Sequence, residues 1–260
     1  MKKSLCYIAA SFAAVGALVF TMSSCGESGS STKVSKDGMF GEVPAIVADF
    51  GDQSIGLIEK VAKSNDEKEM ENLLTNKKEE IEKTANDALV AAIEKLKDKE
   101  FPIEVSSETP IQITSPLKID TEKSELENVW FTATAKNTGK LSLGYGNYLN
   151  NQDIRAILVD KEGAPICAIL GGDNIYKTRK ADGNTVNEGT EADIRIKIKF
   201  TPANALLLSK AEKFVIVTIA NDMWKPARDT TRSEEKAYTQ RVTDAAKLMM
   251  EKMKELKEKK

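Results

Sequence analysis

Histidine is absent from this chain of 260 residues, cysteine occurs three times, and aromatic residues make up only 6%. Without imidazole, no Ser-His-Asp or Cys-His nucleophile can be assembled, no zinc or haem site can use a His ligand, and no His-based pH switch exists. An excess of one charge is missing too. The 38 Lys plus Arg stand against 40 Asp plus Glu, a net of −2, which gives nucleic acid no general attraction. What remains is ordinary for a globular protein: 41% hydrophobic and 30% charged residues, in a chain long enough to bury a full core. These numbers point away from most catalysis and name no activity.

Long apolar runs are scarce, and the one present is informative. Lys2 and Lys3 precede an uncharged, mainly apolar stretch over residues 5–22, followed by the small residues Ser23, Ser24 and Cys25. A basic start, an apolar middle and small residues at its end are the layout of a secretory signal. The run is about 18 residues, enough to span a bilayer if it were retained. Met22-Ser23-Ser24-Cys25 resembles the lipobox of bacterial lipoproteins. The resemblance implies removal of residues 1–24, lipidation of Cys25 on sulfur, and membrane attachment through more than one acyl chain such as palmitate. Gly26 stands where Asp would mark inner-membrane retention, so the resemblance implies the outer membrane. Its periplasmic and surface faces both stay open, because Glu27 is a weak version of the acidic run found after the Cys in surface-exported Bacteroidetes lipoproteins. Residues 25–42 begin with a Gly/Ser/Thr-rich stretch and read as a flexible tether.

Loss of Cys6 and lipidation of Cys25 leave Cys167 as the sole thiol of the exported body, so no internal disulfide can form. Cys167 lies in an apolar run, residues 165–170, which fits an inert core thiol.

Residues 43–100 have helical periodicity. Pro44 suits a first turn, and Val47, Phe50, Leu57, Ile58 and Val61 recur at helical spacing. Ser64-Asn65-Asp66-Glu67 fits a capping box that opens a second helix, with Pro102 as its stop. Residues 101–222 then change to a period of two, clearest in Ile194-Arg195-Ile196-Lys197-Ile198-Lys199-Phe200. Strands are expected over 102–106, 110–119, 128–136, 140–145, 154–160, 165–170, 194–200 and 213–220. Asn137-Thr138-Gly139 and Lys161-Glu162-Gly163 read as hairpin connections. Residues 223–260 read as a linker and, from 232, a C-terminal amphipathic helix. The number of short strands predicts an antiparallel β-sandwich. The Thr134-to-Gly139 connection, the Val159-to-Gly163 turn and the Glu188-to-Glu191 approach to a strand resemble immunoglobulin-like modules of bacterial envelope lipoproteins, which implies a fold and no activity.

Residues 214–219 are apolar on both faces and need cover on both sides. The expected fold is therefore α+β, an immunoglobulin-like sandwich with N- and C-terminal amphipathic helices packed on one sheet. Charge favours their pairing: residues 59–100 hold 9 Lys and 12 acidic residues, and residues 232–260 hold 9 basic and 6 acidic ones.

Candidate sites are few. Tyr145 and Tyr148 with nearby Asn and Gln residues, and Trp224 beyond the last strand, are candidates for ligand binding. Asp182-Gly183-Asn184 with Asn187 and Glu188 is rich in oxygen ligands but departs from the calcium-loop order, so it reads as a polar loop. Arg195, Lys197 and Lys199 form a short basic strip that reads as a solvated strand face. Neither a catalytic pair, a cofactor loop nor a metal set is picked out. The expected role is a non-enzymatic structural or protein-binding lipoprotein whose partners are the membrane, through its lipid, and an envelope protein or glycan. The alternatives are surface glycan capture, or a glycan-acting enzyme that uses two carboxylates.

Overall fold

The computed structural model describes residues 34–258 apart from 123, 125–127, 140–142, 145–153, 170–175 and 178–184. Four helical stretches and a set of short strands alternate along it. Helix α1 (Val43–Lys63) carries Pro44 in its first turn and buries Val43, Val47, Ile55, Ile58 and Val61. It stops at Ser64, whose backbone is extended. The next helix begins two residues later than the capping-box pattern implies. Asp66 is the cap, accepting from the Lys68 amide at 2.9 Å, while Ser64 Oγ donates to Glu69 Oε2 at 2.6 Å. This stretch comprises α2 (Glu67–Asn72), a π-helical turn (Leu73–Lys77) and α3 (Lys78–Glu94). Pro102 is not its stop. The chain leaves the helix at residue 94 through i→i−3 bonds such as Leu96 N–H to the Ile93 carbonyl, a tightening common at helix ends.

The strands are β1 (Ile103–Val105), β2 (Ile111–Ile113), β3 (Lys118–Ile119), β4 (Val129–Asn137), β5 (Leu143–Gly144), β6 (Ile154–Val159), β7 (Pro165–Ala168), β8 (Tyr176–Lys177), β9 (Thr185–Val186), β10 (Glu191–Ile198) and β11 (Lys213–Thr218). A first sheet has the order β1-β11-β6-β7 and a second the order β2-β4-β10-β8, with β3 also on β4. The molecule is thus a mixed α+β structure with two antiparallel-rich sheets, sandwich-like in arrangement. Three expectations are corrected. The 110–119 run splits around Ser115 and Pro116 into two pieces on the same edge of β4, because proline cannot donate to the ladder. β5 pairs with β9, so residues 137–139 do not close a hairpin between β4 and β5. β1 joins β11 in parallel, a contact between distant segments that no local pattern announces. The Lys161-to-Gly163 connection does join paired strands. There Asp160 Oδ1 accepts from the Glu162 and Ala164 amides, and Gly163 takes φ +81° at no steric cost.

The inner faces of both sheets supply one core: Phe131, Ile194 and Ile196 from the second, Ile154, Leu158, Phe214 and Ile216 from the first. Phe40 lies among them, with ring centroids 5.3–6.0 Å from Phe101, Phe131, Phe200 and Phe214. Met39 and Phe40 fall within the expected tether but are 5% and 0% exposed, so the packed body starts by residue 39. Burying an aromatic ring outweighs the freedom gained by leaving it on a tether.

The last helix, α5 (Trp224–Glu258, 35 residues), follows the short α4 (Ala205–Ser209) and starts eight residues earlier than expected. At 1.5 Å per residue it is about 50 Å long. Asn221 Oδ1 accepts from the Met223 amide at 2.9 Å and Pro226 sits in the first turn, the start pattern that a proline-tolerant first turn permits. Its first part meets the first sheet through Met223, Trp224 and Ala227. Its later part meets α1 and the α2 stretch in a second cluster of Ile55, Ile58, Val61, Met70, Leu74, Ala245 and Met249. Gly51 of α1 leaves room for Pro202 and for Tyr238 of α5: a Cβ there would clash with the Pro202 ring and lie 3.2 Å from the Tyr238 hydroxyl.

Candidate functional site

The two sheets differ in what lies outside them. On the first, Ile157, Val159, Val215 and Val217 point away from the shared core and are buried under the start of α5. The edge strand β7 is finished by the same helix. Thr231 Oγ1 accepts from the Ala168 amide at 2.8 Å and donates to the Ala227 carbonyl at 2.9 Å. Cys167, next to Ala168, is buried, and burial pushes its thiol up to about 11. A thiol so held is a poor nucleophile.

On the second sheet, strict alternation in β4 and β10 buries one face and leaves the other half-exposed. The register fixes that outer face. Lys197 is opposite Trp130, Arg195 opposite Thr132 and Asp193 opposite Thr134, while β3 places Lys118 beside Thr132 on its other flank. Lys197 Nζ lies 5.6 Å from the centroid of the Trp130 ring, a cation–π contact. Arg195 Nη2 reaches Asp193 Oδ2 at 3.3 Å, but Arg195 Nε is buried and finds no partner among the described residues. Ser115 Oγ accepts from the Thr134 amide at 2.7 Å, and the Asp120 amide donates to the Trp130 carbonyl at 2.8 Å.

These side chains surround an open groove of about 400 Å³, floored by Thr132, Ala133 and Thr134 and flanked by Ser115, Pro116, Lys118 and Asp120 on one side and Asp193 and Arg195 on the other. Its lining holds two cations and two anions together with three hydroxyls. The groove can exchange hydrogen bonds in both directions but has no net charge.

Of the residues singled out in sequence, Arg195 lines the groove. Cys25, Tyr145, Tyr148 and residues 182–184 fall outside the described residues. Asn187 and Glu188 lead into a turn in which the Thr190 amide bonds the Asn187 carbonyl and Gly189 takes φ +78°. Trp224 is half-buried over the first sheet, within its hydrophobic cluster. Among the described residues, no group of three or more His, Cys, Asp or Glu is placed to hold a metal ion, and no helix is long and apolar enough to cross a membrane. Of the basic strip, Arg195 and Lys197 belong to the groove's face and Lys199 follows β10. Sequence reading missed Ser115, Lys118, Asp120, Trp130 and Thr132. Trp130 projecting opposite Val129 and Phe131 was the available signal.

Compared with known protein families, curated protein sequences and solved structures, the chain matches none of them.

Proposed function

We propose that this chain is an envelope lipoprotein, held at the outer membrane by acyl chains on Cys25, with a non-enzymatic body that binds an envelope component. The observation that carries the binding role is the asymmetry of the sheets: one outer face is covered by α5 and the other is half-exposed, polar and grooved. A half-exposed sheet face with pre-paired side chains is a surface that a partner can join without reordering the fold. The body reads as immunoglobulin-like. The chain changes sheet between β4 and β6 and again between β10 and β11, as Greek-key sandwiches do. The departure is β1, which takes an edge position parallel to β11. Support for the anchor is the Lys2-Lys3 start, the apolar run and the Met22-to-Cys25 pattern.

Cell fractionation tests the anchor. The native chain is expected in the membrane fraction and Cys25→Ser in the soluble one; a Cys25→Ser protein that still sediments with membranes overturns lipidation there. The binding face is tested by placing a photo-crosslinking side chain at position 132 or, as a control, at the exposed Lys161. Capture of an envelope component from position 132 only is the expected result. Equal capture, or none, removes this face as a binding surface.

A further inference from the structure

We infer that the groove on the outer face of the second sheet takes a neutral saccharide chain, lying across β3, β4 and β10 and reaching Trp130. The inference rests on the reading of this face as a binding surface and specifies its ligand. Charge decides the class. Lys118 and Arg195 line the groove together with Asp120 and Asp193, so an anionic ligand meets two carboxylates and a cationic one meets two cations. The floor is made of Thr132, Ala133 and Thr134 rather than large apolar groups, which gives an amphipathic peptide helix little to bury.

A neutral sugar fits both features. Its hydroxyls donate to Asp120 and Asp193 and accept from Arg195 and Lys118, while Thr132 and Thr134 can do either. Arg195 supplies the specific donor. Its side chain is 36% exposed and its guanidinium is already oriented by Asp193 at 3.3 Å, so the remaining N–H groups of the fork can donate to a ligand. A group held in this way loses little freedom on binding. Trp130 stands two residues from Thr132 on the same face, about 7 Å along the strand. It offers an aromatic surface beside the hydrogen-bonding groups, the pairing that suits the apolar and polar sides of a sugar ring.

The test uses the full-length chain in native gels cast with neutral polysaccharides (dextran, galactomannan, xyloglucan and mannan), with polygalacturonate as the acidic control. Retardation by at least one neutral polymer is expected, with none by polygalacturonate. Arg195→Met, which keeps the apolar stem, and Thr132→Arg, which fills the groove with a third cation, should each weaken it by at least about tenfold, the scale for losing a charge-assisted hydrogen bond. Both should keep the native melting temperature. No retardation in any neutral gel, retardation only by polygalacturonate, or retardation that survives both substitutions overturns the saccharide. If position 132 still captures a component in cells while the gels stay blank, the binding face stands and its ligand is of another class. Absence of both removes the face itself.

Discussion

Cys167 shows how a single side chain reports on the fold. Its thiol ordinarily ionises near 9.0, and burial beside Thr231 raises that to about 11. The unfolded chain therefore loses its proton first as pH rises, so stability is fully present below about pH 9 and declines towards pH 11. The decline attributable to this group is about 2–3 kcal/mol. Tyr238 acts in the same sense at higher pH, since burial pushes it up to about 12. Chemical unfolding of native protein and Cys167→Ala at pH 8 and 10.5 measures this. The native chain should lose more stability between the two pH values than the variant, and equal losses would refute the assignment. Cys167 in its apolar run was readable as a core thiol from sequence. Thr231, 64 positions away and the acceptor for the neighbouring amide, was not, because the helix carrying it had to be docked first.

At the scale of elements, α5 serves two places at once. Its first turns lie over the first sheet, and its later turns supply Ala245 and Met249 to the cluster with Ile55, Val61 and Met70. Its charges contribute less than its apolar stripe. Arg241 reaches Asp52 at 2.7 Å, a surface pair with both partners about half exposed, worth at most about 1 kcal/mol. Ending the chain after Thr231 should leave the first sheet covered and uncover the second cluster. The expected outcome is a clear fall in melting temperature with loss of solubility; unchanged values would show that the later turns are dispensable. The start of α5 illustrates partial legibility. Asn221 and Pro226 carry a start signal, but Arg228 to Lys236 hold no apolar residue, so helical periodicity begins to stand out only near Tyr238. In the first part the buried positions are few, Ala227 and Thr231, because the helix there touches a sheet with only one narrow stripe.

Among the described residues the body is two-faced: one sheet lies between core and helix, and the other is half-exposed on its outside. Two substitutions on outward-pointing strand residues should therefore behave oppositely. Val217, 0% exposed on the first sheet, cannot accommodate an unpaired charge, and Val217→Lys should cost more than about 3 kcal/mol. Thr132→Arg, on the half-exposed face of the second sheet, should change stability by no more than about 0.5 kcal/mol. Thermal unfolding of the two variants decides this, and similar losses in both would mean that the faces are equivalent.

Local order was set by the sequence alone. The alternation from Ile194 to Phe200, the spacing of Ile55, Ile58 and Val61, and the Asp160-to-Gly163 turn each encode their element through neighbours a few residues away, where periodicity and backbone preference act. The absence of histidine also needed no fold. Tertiary structure decided which distant segments meet: β1 beside β11, the split edge of β2 and β3 on β4, Phe40 inside the core, and the groove itself. Lys118, Thr132 and Arg195 are far apart in the chain and become neighbours only through strand register. Register is a choice among many pairings, made by the burial of whole faces at once, and no local pattern of residues carries it.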